Sequence, residues 1–255
     1  MQFRNFSVSI ILIAFGASAT CAADVSWSGF GTIGYTKSNA PYTYQRYIDK
    51  QGTLHRDSLV GIQIDASLNH QVGATIQALV APASDDDHRY RTTVSWAFLS
   101  FRPSNDWLFR AGRQRIPLYL SSQNYDVGVT YDFARLPTEM YSISPGNEFD
   151  GLSFTKVWNV GVDDVQFEGY WGIRDGIPKL LKPGAVFRGV TLNGTGLVIS
   201  YKSSDNTYRI GVHRAVGTQA NGTPFPRTYP FVILFPGVGY YQVDPSIPGP
   251  GIPSI

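Results

Sequence analysis

Few residues in this chain stand at spacings that could do covalent chemistry, and each has a plainer reading. Gly29-Phe30-Gly31-Thr32-Ile33-Gly34 has the G-x-G-x-x-G spacing that lets backbone approach a pyrophosphate. That use requires a strand before it and a helix after it. Here the glycines fall inside an alternating run, where they read as close packing or a sharp bend of a strand. Asp85-Asp86-Asp87, with His88 next, offers oxygen ligands to a hard divalent cation, but such a run in a connection is more often a solvated face. His55, His70, His88 and His213 show no metal-ligand spacing and no H-E-x-x-H. There is no G-x-S-x-G nucleophile elbow. Asn193-Gly194-Thr195 and Asn221-Gly222-Thr223 fit a glycosylation pattern and read here as turns. The chain is therefore expected to be no enzyme and to need neither cofactor nor metal.

If the residues do not react, the elements that carry them must supply the function. Of the 255 residues, 43% are hydrophobic, 14% aromatic and only 16% charged. Soluble globular proteins average roughly 25% charged. Tyr (15), Phe (15) and Gly (26) are plentiful, as suits strands and turns rather than helices. A formal net charge of +2 gives no electrostatic reason to expect a nucleic-acid partner.

The first residues have another purpose. Arg4 gives a positive start, residues 8–15 form a short apolar run and residues 17–23 are small. These are the three regions of a secretory signal peptide, with cleavage expected after Ala23. The apolar run falls short of the roughly 20 residues a spanning helix needs, and no later segment reaches that length. Cys21, the only cysteine, lies in this leader, so residues 24–255 carry no disulfide. Acylation at Cys21 is disfavoured, because Ser18-Ala19-Thr20 is a poor match to a lipoprotein leader.

From Val25 onward the dominant period is two. In residues 58–68, Val60, Ile62, Ile64, Ala66 and Leu68 alternate with Gly61, Gln63, Asp65 and Ser67. Residues 71–81 repeat the pattern after a tight turn at Asn69-His70. Alternation over about ten residues marks a strand with one apolar and one polar face. Further strands are expected over 25–36, 92–102, 107–116, 151–158, 164–173, 196–202 and 207–216, with a tenth near 239–243. The connections alternate without exception. They are long at 37–57, 82–91, 117–150, 174–195 and 217–236, and short at 69–70, 103–106, 159–163 and 203–206. Outer-membrane barrels have short periplasmic turns and long outer loops, so this order predicts an all-β, antiparallel transmembrane β-barrel in the cell outer membrane, in contact with its lipid. Trp27, Tyr35, Trp96, Phe98, Trp107, Phe109 and Trp171 are expected at strand ends or on the apolar face, as aromatic girdles require.

The stretch 97–120, AFLSFRPSNDWLFRAGRQRIPLYL, resembles Gram-negative outer-membrane porins. There a strand, a tight turn and a second strand ending in a glycine-arginine pair precede the third outer loop. GFGTIGYT from Gly29 and DGLSF from Asp150 occupy matching places. The resemblance implies a barrel of sixteen or so strands that passes small hydrophilic solutes or ions by passive diffusion, often as a homotrimer. It also implies a third loop folded inward, whose acids face basic residues on the wall, as charged rings set selectivity. Arg113 matches the arginine of the pair, with Arg110 and Arg115 nearby, and Asp126, Asp132 and Glu139 would be the loop acids. Arg135 would add positive charge. Strict alternation makes Arg110 face opposite to Arg113 and Arg115, so either a bulge at Gly112 resets the register or one set points to a subunit interface. The alternative function is a non-conducting structural or adhesive barrel whose long loops bind other surfaces.

The Pro/Gly-rich segment 244–255 cannot be a central strand. About nine clear strands precede it, so a partial barrel of nine to ten strands is expected over 24–255, with truncation favoured over a smaller closed barrel.

Overall fold

The computed structural model describes residues 24–42, 48–83, 89–141, 147–176, 190–219, 228–235, 238–241 and 251–253. The leader, Cys21, the Asp85-Asp86-Asp87 run with His88, and Asn221-Gly222-Thr223 lie outside the described residues.

Nine strands form one sheet in sequence order: β1 Asp24–Thr32, β2 Leu59–Ser67, β3 Val72–Pro82, β4 Tyr90–Ser104, β5 Trp107–Arg115, β6 Glu148–Val160, β7 Asp163–Gly176, β8 Val190–Lys202 and β9 Thr207–Gln219. Every neighbouring pair is antiparallel. The class is all-β, as the period of two requires, and the sheet is open, with β1 and β9 as its edges. Up-and-down order places the connections after even-numbered strands at one end of the sheet and those after odd-numbered strands at the other. All the long connections therefore share one end. Among the described residues no helix is long and apolar enough to cross a membrane.

Residues paired across an antiparallel ladder share a face, and successive residues alternate. The row Trp27, Ile64, Ile76 lies on one face, and so does the row Leu99, Ala111, Leu152, Trp171. Trp27 is 77% exposed and Leu152 56%, so this apolar face is uncovered. At its short-turn end the aromatics cluster: Trp107 stacks on Phe109 at 5.4 Å, and Phe154 lies 6.3 Å from Trp107 and 5.6 Å from Phe167. Lys156 stands over Trp107 at 5.1 Å and pairs with Asp106. The opposite face is polar and knitted by side chains. Gln63 Nε2 donates to Asp65 at 2.7 Å, Thr75 donates to the same carboxylate at 2.7 Å, and Gln77 Nε2 donates to Gln63 at 2.9 Å.

Four expectations are corrected. There is no register shift at Gly112, where the β4–β5 and β5–β6 ladders run through. The bulge lies instead in β4, where Gln77 pairs with Trp96 and Ala78 with Val94, leaving Ser95 unpaired. That extra residue lets Val94 and Leu99 both face the apolar side although their numbers differ in parity. It also turns Trp96 and Phe98 to the polar face, so these two are not girdle residues. Asn193-Gly194-Thr195 is no turn: it lies within β8, paired with Ile173, Gly172 and Trp171. A Cβ on the nearby Gly196 would sit 2.5 Å from both His213 Nδ1 and Tyr170 Cε1, so glycine there makes room for large polar-face neighbours. Finally, the supposed loop 217–236 contains the end of β9 and a further strand, β10 Thr228–Phe235, which pairs with β11 Val238–Tyr241 and β12 Gly251–Pro253 in a separate sheet. Its prolines signalled a loop, but TYPFVILF has the aromatic and β-branched content of a strand. β12 is an edge strand, which is where proline is tolerated.

Gly29 and Gly31 lie in β1, not at a helix start. A Cβ on Gly34 would stand 2.6 Å from Asp57 Cβ, so this glycine serves a close approach rather than a phosphate.

Candidate functional site

The connection after β5 decides what the polar face can do. It leaves the sheet at Ile116 and rejoins it at Asn147, where Ile116 N donates to Asn147 O at 2.9 Å. Between them it is tied to both sides of the sheet. On the β9 side, Arg209 Nη2 donates to Pro117 O at 2.5 Å, and its Nη1 donates to Glu168 at 3.1 Å. Gln123 Nε2 reaches the other oxygen of Glu168 at 3.4 Å. On the β1 side, a Cβ on Gly128 would lie 3.1 Å from Thr32 Oγ1. Arg135 Nε donates to Asp57 at 2.8 Å, Arg135 Nη2 to Thr36 Oγ1 at 3.1 Å, and Thr36 to Asp57 at 2.6 Å. The segment thus spans the polar face from β9 to β1.

Its root is held by charge. Arg115, at the end of β5, pairs with Asp126, both side chains being buried, and lies 3.9 Å from Glu148. Tyr141 packs 5.0 Å from Tyr119 and 5.9 Å from Tyr125, and its hydroxyl accepts from Ser121 N at 3.0 Å. On the β1 side, in the connection before β2, burial alone would raise the Asp57 carboxyl. The hydrogen bonds from Arg135 and Thr36, with the Arg135 charge, outweigh it and hold Asp57 below the usual carboxylate range.

Between segment and wall lies a cavity of about 20 Å³ lined by Trp96, Arg110, Gln114, Arg115, Gln123 and Glu168, among others. Trp96 Nε1 and Arg115 Nη1 are buried there without a hydrogen-bond partner. A polar space of that size holds about one water, which would satisfy such donors. Arg110 lies over the Phe98 ring at 5.3 Å and feels Glu168 electrostatically.

The residues singled out from sequence are thus divided. Arg110 and Arg115 both line the cavity beneath the segment and Asp126 pairs with Arg115, which reaches it from the last position of β5 although it shares ladder parity with Arg113. Arg113 does not join them. It pairs in the ladder with Ala97 and Asp150, on the apolar side, and binds Asp150 bidentately at 2.7 and 3.0 Å. Asp132 is exposed on the segment. Glu139 lies in a one-turn helix, Thr138–Tyr141, and its side chain is outside the described residues. Sequence reasoning missed Glu168 and Arg209, the wall charges that hold the segment. Both were discoverable: Glu168 alternates with Phe167 and Gly169, and Arg209 with Tyr208 and Ile210.

No family model matches the chain, and no curated protein matches it. Among solved structures it is similar to OmpTdeltaL8, a loop L8 deletion mutant of OmpT, an outer membrane protein of Vibrio cholerae. The identity is 13% and the TM-score 0.34, over 78% of this chain and 72% of that chain. A likeness at that level says nothing of activity, which has to be argued from the two faces of the sheet and the segment that crosses one of them.

Proposed function

We propose that this chain builds the wall of an outer-membrane porin, a passive diffusion channel for small hydrophilic solutes or ions. The observation that carries the reading is the segment from Ile116 to Arg135, held across the polar face of a two-faced sheet by Arg115 on Asp126, Glu168 on Gln123, Arg209 on Pro117 and Asp57 on Arg135. Exposed side chains such as Trp27, Leu99, Leu152, Trp171, Ile210 and Val212 would be an untenable patch in water but suit hydrocarbon. The polar face would line a wet lumen, and the segment would narrow it. Arg110 on the wall and the exposed Asp132 on the segment would then set a transverse field that sorts solutes by charge. Long connections would face outward and short turns the periplasm. In this reading the chain performs no catalysis, and its partners are lipid, solutes and other copies in a homotrimer.

Planar-bilayer recording of the refolded chain tests the proposal. Stepwise ohmic currents are expected. A chain that inserts yet never conducts would overturn the channel and leave the structural or adhesive barrel as the better reading.

A further inference from the structure

Of the histidines among the described residues, His55 and His70 lie in connections, and His213 alone stands on a strand. It belongs to the polar face. Ladder pairs lead from Arg110 through Ser153, Tyr170 and Gly196 to His213 in one cross-strand row. The row that carries a guanidinium on β5 therefore carries an imidazole on β9.

The imidazole has a built seat. Its Nδ1 lies 3.1 Å from the hydroxyl of the buried Tyr170, and the two rings are 5.8 Å apart. A Cβ on Gly196 would come within 2.5 Å of Nδ1, and one on Gly211 within 2.7 Å of Nε2. Two glycines thus leave the space the ring occupies. His213 is still only half-buried, so water reaches it. The groups that share its face are few. On β7 they are the Tyr170 phenol, neutral through the physiological range, and Glu168, which is bound by Arg209 and Gln123. On β9 there is Arg209, on β5 Arg110, and on β8 the uncharged Gly194, Gly196 and Val198. On the segment, Asp126 is bound by Arg115 and Asp132 is exposed. Beyond β9 the sheet ends. A proton on His213 therefore joins Arg209 and Arg110 with one carboxylate, Glu168, among them, and adds to the positive side of the wall.

We propose that His213 is a titrating determinant of solute selectivity, whose protonation in mildly acid medium shifts the preference of the lumen toward anions. This rests on reading the polar face as a lumen wall. Imidazole is the only side chain whose ordinary charge change falls between about pH 5 and 8. The carboxylates of the wall and segment, with ordinary values near ~4, keep their charge through most of that window. The wall thus gains one positive charge there while the acids opposite it stay as they are.

Reversal potentials of the refolded chain in a potassium chloride gradient, recorded at about pH 7.5 and about pH 5, test this. In the parent the chloride-to-potassium permeability ratio is expected to rise about twofold on acidification, the effect of one unit charge roughly 10 Å from passing ions in screened water. His213→Gln should keep the ratio at its neutral value, and His213→Lys should keep it near the acid value at both settings. His70→Gln, in an exposed turn, should titrate as the parent does. If the glutamine variant does not fold, the lysine variant at neutral pH decides. An equal rise in the parent and in His213→Gln would overturn the assignment, and so would a His213→Lys channel with the preference of the neutral parent. Currents whose preference ignores pH sink the switch and leave the channel, whereas a chain that inserts without current at either setting sinks the channel reading and the switch with it.

Discussion

Arg115 and Asp126 form a buried ion pair that joins the end of β5 to the segment lying over the polar face, their side chains only 2% and 9% exposed. A buried pair broken on one side leaves an unpaired charge, which typically costs roughly 3–5 kcal/mol. Arg115→Met is therefore expected to lower stability by about that much in equilibrium unfolding from lipid vesicles, and to speed proteolysis within 117–141. Removing both charges as Arg115→Met/Asp126→Leu should recover most of the loss. A double variant as unstable as the single one would show that packing, not charge, holds the segment.

Facing is testable with light. Trp171 lies on the apolar face and is 52% exposed, whereas Trp96 lies on the polar face beside Arg110 and Gln114. In variants that keep one tryptophan, brominated acyl chains should quench Trp171 strongly and Trp96 weakly. Equal quenching would remove the bulge at Ser95 as the device that turns Trp96 inward.

Gly112 has φ +128°, and a Cβ there would lie 2.3 Å from Ala97 O. Gly161, in the short turn after β6, has φ +70° with nothing near its Cβ position. Gly112→Ala should thus cost on the order of 2 kcal/mol or more from strain plus a backbone clash, and Gly161→Ala about 1 kcal/mol from conformation alone. Unfolding midpoints of the two variants, compared with the parent, check the order.

The Asp57–Arg135 contact should respond to acid. Because the folded Asp57 carboxyl is held below its ordinary value, its contribution is complete above the unfolded pKa near ~3.9 and disappears as pH falls through the lower folded value. Proteolysis of the segment by an acid-active protease should therefore accelerate below about pH 4 in the parent. Asp57→Asn should show its faster rate at every pH, without that step. A step of equal size in both proteins would place the titrating group elsewhere.

How much of this was legible depends on what each residue's pattern had to resist. Strands β2 and β3 were plain because Ile62, Ile64, Ile76 and Ala78 alternate against Gln63, Asp65 and Gln77 with no competing signal. The start of β8 was hidden because Asn193-Gly194-Thr195 has turn chemistry, and the crowding of Tyr170 and His213 that requires glycine at the adjacent Gly196 is a tertiary contact. The register of β4 was hidden because apolar residues occupy both parities from Val94 to Phe101, and a one-residue bulge at Ser95 resolves them. At the candidate site, the arginines and Asp126 were visible as types, but which arginine faces which side was a tertiary fact. Glu168 and Arg209 lie far along the chain from the segment they hold, at separations that local pattern does not report.

The most direct test of the central claim is the reversal potential of single channels in a tenfold salt gradient, compared among the parent, Arg110→Glu and Arg113→Glu. Arg110 is on the polar face beneath the crossing segment, and Arg113 is on the apolar face with Asp150. The reading predicts that Arg110→Glu shifts ion preference toward cations while Arg113→Glu leaves it unchanged. A shift produced by Arg113 and not by Arg110 would contradict the assignment of the polar face to the lumen.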